Sequence, residues 1–183
     1  MSSSFLNLQL GLFPLRKNNN TQLPNLLRRT LSGTLLELLH IAILVSMLVY
    51  TYLQWKVAPD VVSSHFDVNG EVNGHSGKIV LWVNAALAVL GTLVLDITSY
   101  HPKQYNLPFA LHTERQCYML SHLMHIIPLF LQSILFIVIY LLSHEGRHAD
   151  VLVPSCFVLL GVFVLVFVLY LIQVKKAAKY KEQ

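Results

Sequence analysis

The chain has 183 residues, 55% of them hydrophobic and only 12% charged, with a mean hydropathy of +0.57. Water-soluble domains carry roughly a quarter of their residues as Lys, Arg, Asp and Glu, so this balance excludes a soluble globule and, more firmly, an intrinsically disordered chain. The net charge of +4 is no nucleic-acid signal, because four of the 13 basic residues (Arg16, Lys17, Arg28, Arg29) precede the first apolar run and four (Lys175, Lys176, Lys179, Lys181) follow the last, as in cytoplasmic flanks of membrane proteins.

Residues 1–34 read as a cytoplasmic N-terminal arm. Their apolar stretch from Phe5 to Leu15 precedes the basic residues and lacks a small-residue cleavage site, unlike a secretory signal. Asn18, Asn19 and Asn20, with Pro14 and Pro24, favour irregular chain.

Four long apolar runs follow, at about 35–53, 79–95, 118–142 and 151–174, uncharged but for Glu37 in the first. A backbone in hydrocarbon must satisfy its own hydrogen bonds, so each run predicts a helix crossing the bilayer with about 20 residues. The expected fold is all-α, an integral membrane four-helix bundle over 35–174, with a basic cytoplasmic tail at 175–183. Lys and Arg number four before the first span and four after the last, against two, two and one in the successive loops. Both termini are therefore expected in the cytoplasm, and the first loop outside. Trp55, Trp82, Tyr50 and Tyr52 gather where the first two spans meet that loop, as interfacial aromatics do. Pro128 should kink the third span. The fourth is almost wholly Val, Leu, Phe and Ile, fit to face lipid or to seal against a partner. Cys117 and Cys156 fall at opposite faces of the membrane, so no disulfide is expected.

The first loop, from Val57 to Lys78, predicts a compact structure. Pro59 fixes an extended start, Val61, Val62 and Phe66 can pack on helix ends, and Asn69-Gly70 and Asn73-Gly74 supply turn chemistry. With its Ala58-Pro59, Val61-Val62, His65-Phe66 and Gly70, the chain resembles a bacterial membrane domain of unknown function that forms the front part of SdpI-type immunity proteins. Asn106-Leu107-Pro108 and His112-Thr113-Glu114-Arg115 resemble a second feature of that family, although Arg115 stands where the family has Asn. The resemblance spans roughly residues 35–142. It implies a bacterial inner-membrane protein that confers immunity, senses or docks, with Pro59, His65, Phe66, Asp67, Gly70 and His75 as its outer recognition surface. The partners it implies are the lipid bilayer and a peptide toxin or membrane protein, with no nucleic acid.

Nine histidines in a chain so poor in charge raise a second possibility. Glu37 and His40 are three residues apart on the first span, and His122 and His125 on the third, so each pair shares a helix face. Counting about 1.5 Å per residue from the inner ends puts His40, His122 and His125 at similar depth. Asp96 closes the second span on that side. Ionisable groups inside a bilayer turn toward one another, which predicts an intramembrane polar cluster of Glu37, His40, Asp96, His122 and His125. It reads either as a packing knot or as a proton- or metal-responsive site. His65, His75, His144 and His148, with Asp67, Glu71, Glu145 and Asp150, offer a further zinc-ligand set in the outer loops, without a recognised spacing.

No phosphate loop, nucleophile elbow or Cys-x-x-Cys pair supports an enzyme. The expected cofactor is none, with zinc or iron as the alternative. A His-centred enzyme or carrier, and a structural subunit of a larger complex, are the rival functions.

Overall fold

A computed structural model of the chain describes residues 23–178. The expected arm up to residue 22, and Lys179 and Lys181 of the tail, lie outside the described residues. Four helices run Leu31–Val57 (α1), Val80–Ser99 (α2), Glu114–Ser143 (α3) and Ala149–Ala177 (α4). Each is long and apolar enough to cross a membrane. The chain is a multi-pass membrane protein with the all-α four-helix architecture that its apolar runs predict.

The helices extend beyond the uncharged runs because their ends are capped by neighbouring polar residues. Thr30 starts α1, its Oγ1 accepting from the Gly33 N–H at 3.1 Å. At the start of α3, Thr113 and Gln116 form a capping box. The Gln116 N–H donates to Thr113 Oγ1 (3.2 Å), and Gln116 Oε1 accepts from the His112 and Thr113 N–H groups at 2.8 and 3.1 Å. The α2 helix runs past Asp96 to Ser99, so Asp96 lies inside the helix rather than at its end. At the end of α3 the Gly146 N–H donates to the Leu141 carbonyl at 2.9 Å, with Glu145 left-handed at φ 54°, a Schellman stop. His148 is left-handed as well (φ 64°). The left-handed residues therefore end α3 at Ser143 and keep His144 and His148 off a common helix face.

Between α1 and α2 an antiparallel hairpin pairs Val61–Phe66 (β1) with Val72–Gly77 (β2), with irregularities around His65. Its turn is held by Asp67, whose Oδ1 accepts from the Asn69 and Glu71 N–H groups at 2.9 and 2.8 Å. Gly70 takes the turn's positive φ of 85°. The expectation of a second turn at Asn73-Gly74 is corrected. Both lie in β2, where Gly74 pairs with His65 and a Cβ would stand 2.8 Å from the His65 ring.

The helices pass through two compact units. One comprises 23–39, Val94–Ile127 and 166–178 of the described residues; the other comprises His40–Leu93 and Pro128–Leu165. The first is centred on Leu27, Cys117 and Tyr118, and on Leu120, Leu123 and Val174. There Gln116 Nε2 donates to the Val174 carbonyl at 3.0 Å, tying the last turns of α4 to the start of α3. The second is built on Met47, Leu81, Ala85, Ala88, Ile139 and Leu142, with Trp55 and Trp82 at its edge. None of the most apolar stretch of α4 is buried, as a lipid-facing helix requires. Both cysteines are free.

Candidate functional site

The first unit holds a cluster of imidazole, carboxylate and phenol. Glu37 projects from α1, His125 from α3, and Tyr100 follows the last residue of α2. Tyr100 Oη donates to Glu37 Oε1 at 2.5 Å, and His125 Nε2 lies 3.5 Å from the same oxygen. The Tyr100 and His125 rings meet edge to face at 5.3 Å. His125 is buried, whereas the Glu37 side chain retains 16% exposure. Arg29 lies 3.7 Å from Glu37 Oε2, but its side chain is 73% exposed, so the pair contributes little. A backbone bond from the Leu27 N–H to the Tyr100 carbonyl (2.9 Å) brings the segment before α1 to this site.

Donor and acceptor accounting around His125 is restrictive. Nδ1 faces the Ser121 carbonyl at 2.7 Å, and a carbonyl only accepts, so Nδ1 bears a hydrogen. Nε2 faces Ser99 Oγ at 3.2 Å, while Ser99 gives its own hydrogen to the Asp96 carbonyl at 2.7 Å. Ser99 can therefore only accept from the ring. With a hydrogen on Nε2 as well, both Ser99 and Glu37 are matched and the ring is an imidazolium beside a carboxylate. With Nε2 bare, a lone pair faces the Glu37 oxygen and Ser99 must release Asp96.

Outside the spans, burial raises the Tyr100 phenol above its ordinary value of 10.0, and the bond to Glu37 adds to the shift. Burial also raises Tyr105, whose Oη donates to the Ser99 carbonyl. The neutral phenol belongs to the folded form. Stability from Tyr100 is thus whole below pH 10.0 and is lost as pH rises through the raised value. An alkaline absorbance titration should show a late tyrosinate step that shrinks in Tyr100→Phe; an unchanged titration would contradict the buried contact.

Of the five residues expected to cluster, Glu37 and His125 meet directly. Asp96 joins through its backbone carbonyl, and its carboxylate acts electrostatically on Tyr100. His122, one turn before His125, is half-buried and makes no hydrogen bond among the described residues. His40 is fully buried and belongs to the second unit. Sequence reasoning missed Tyr100, Ser99 and Ser121. A tyrosine one turn after Asp96, at a span end, was the available signal. Among the described residues no group of three His, Cys, Asp or Glu side chains is placed to hold a metal ion.

The hairpin residues divide by burial. Phe66 is half-buried against Gly146 of the α3–α4 turn, and Gly70 lies directly on the backbone of Ala149 and Asp150. Asp67 is spent on the turn. Pro59, His65 and His75 are exposed, together with Val61, Val68 and Val72. Lys78 anchors the base of the hairpin, 2.9 Å from Asp60 and 5.2 Å above the Trp55 ring.

The family model for a domain of unknown function, DUF1648, matches residues 42–89. That stretch covers most of α1, the whole hairpin and the first half of α2. No curated protein and no solved structure matches the chain.

Proposed function

We propose that this protein recognises a membrane-active peptide or a membrane partner on the outer face of a bacterial inner membrane, through the exposed side of the hairpin, as an immunity or sensing protein of the SdpI-like type. The observation that carries this reading is the docked hairpin. Phe66 and Gly70 hold it against the α3–α4 turn, while Pro59, His65, His75 and Val68 stay exposed. A two-stranded sheet leaves backbone donors and acceptors open along its edges, which suits an extended peptide adding as a strand. The DUF1648 match includes the entire hairpin, and the His65-Phe66 pair lies within it. Deleting the gene should sensitise the cell to a membrane-active peptide, and wild-type protein should restore resistance. A His65→Ala, Val68→Ser variant should fail to restore it at normal abundance. Unchanged sensitivity of the deletion strain, or full rescue by the variant, would refute the reading.

The His125–Glu37 contact favours a second reading, a proton-responsive membrane switch, because imidazole changes charge near neutral pH. Its energetic premise is tested by the coupling of Glu37 and His125.

A further inference from the structure

The two edges of the hairpin differ. The Lys78 N–H donates to the Asp60 carbonyl at 2.9 Å, and beyond this pair Val61 faces Gly77, Val62 faces Ser76 and Ser63 faces His75. Opposed residues of an antiparallel pair alternate between exchanging hydrogen bonds and turning theirs away. Ser76 is therefore bonded to Val62, while His75 and Gly77 direct their N–H and C=O groups to the outer edge of β2. Among the described residues no other segment takes these groups up. His75 and Gly77 are exposed, and the surface of a glycine is its backbone. On the β1 edge the corresponding residues are Val61 and Ser63, and Ser63 is buried. Proteins usually blunt an open edge with charge or Pro. Pro59 and Asp60 precede β1, whereas Val72–Gly77 contains neither kind of residue.

The surroundings select the charge of a partner. At this end of the unit Asp60, Asp67, Glu71, Glu145 and Asp150 stand against Lys56, Lys78 and Arg147. Lys78 is already held by Asp60 at 2.9 Å, and the exposed Glu71 directly precedes β2. We propose, resting on the reading of the hairpin as the recognition surface, that the outer edge of β2 takes a cationic peptide in extended form as a third strand. The peptide backbone bonds to His75 and Gly77, and its Lys or Arg side chains meet the surplus carboxylates. An anionic peptide would gain the same backbone bonds against an unfavourable field. A second copy of this chain would bring the same surplus of carboxylates to the same place, so like charge opposes pairing of β2 with itself.

The test uses the full chain in phosphatidylcholine nanodiscs at about pH 8, with an acetylated and amidated eight-residue peptide of alternating Val and Lys. Its Val-Glu counterpart and its fully N-methylated form serve as comparisons. Amide exchange with water, resolved by residue by NMR, should slow about tenfold at His75 and Gly77 when the Val-Lys peptide is present at about ten times its Kd. Neither comparison peptide should slow it. Glu71→Lys reverses an exposed charge, leaves the backbone bonds to Asp67 intact, and should weaken Val-Lys binding about fivefold. Equal protection by either comparison peptide, protection at Val61 and Ser63 instead, no protection at all, or Val-Lys binding unchanged in Glu71→Lys overturns the proposal. So does protection of His75 and Gly77 without peptide in discs that hold two chains but not in discs that hold one, which would give the edge to a second copy. A sensitive deletion strain with these amides unprotected removes the edge and leaves recognition by the hairpin side chains. Protected amides with an insensitive strain remove the function and leave the edge.

Discussion

Gly70→Ala is expected to cost about 3 kcal/mol or more and to free the hairpin from the start of α4. Two independent penalties combine. At φ 85° an L-residue takes a left-handed conformation, worth roughly 1–2 kcal/mol. In addition, a Cβ at this position would stand 2.3 Å from the Ala149 carbonyl carbon and 2.4 Å from the Asp150 nitrogen. Those are backbone atoms of a helix start, which cannot swing aside as a side-chain tip can. Either the turn or the first residues of α4 must move, and Phe66 loses its seat on the neighbouring turn. Gly161→Ala is the matched control. Nothing lies within 4 Å of its Cβ position, so the change should stay within about 0.5 kcal/mol, or stabilise slightly through helix propensity. The comparison is read from thermal unfolding in detergent, with proteolysis of the 59–77 segment reporting release of the hairpin. Equal midpoints for the two variants would show that the hairpin does not rest on α4.

Glu37→Leu and His125→Leu should each cost about 3 kcal/mol, and the double variant little more than either alone. Removing Glu37 leaves the buried His125 ring facing an apolar group where a carboxylate stood 3.5 Å away, and the Tyr100 hydroxyl loses its acceptor. Removing His125 instead leaves Glu37 partly buried, with Tyr100 and the distant, exposed Arg29 as partners. When both are apolar, neither polar group is left facing an apolar one, and only the Tyr100 bond and some packing are lost. Tyr100→Phe should cost about 1 kcal/mol, an ordinary net hydrogen bond. Unfolding titrations in mixed micelles measure all four variants. Strict additivity of the single effects would mean that Glu37 and His125 do not act as a pair, and the proton-responsive reading would lose its premise.

The spans were legible in the sequence because a backbone inside lipid has few solutions: a long uncharged run must be helical whatever its neighbours do. The helix ends were less legible. Thr113 and Gln116 extend α3 by a capping box, and Asp96 is tolerated inside α2 because the helix continues to Ser99. Turn propensity identified Asn69-Gly70 but also suggested Asn73-Gly74. Local chemistry cannot say which of two Asn-Gly pairs turns and which enters a strand. That choice is made by the register of β1 against β2 and by the space over Gly74 that the His65 ring fills.

Within the polar cluster, helical spacing placed His40, His122 and His125 at similar depth, with Glu37 one turn from His40, but could not say which groups touch. Contact depends on the rotation of each helix about its axis, and that rotation follows from packing side chains far apart in the chain. Hence Tyr100 and Ser99, unremarkable by composition, become the partners of Glu37 and His125, while His122 is left half-buried. The amino-acid sequence by itself determined that this is a four-span membrane protein with its scarce charge near the ends and a structured loop after the first span, because hydrocarbon tolerates no other arrangement. Tertiary structure alone decided the seating of the hairpin on the α3–α4 turn, the donor and acceptor matching at His125, and the burial of the Gln132 amide against Thr92, since each rests on distances between segments that only packing brings together.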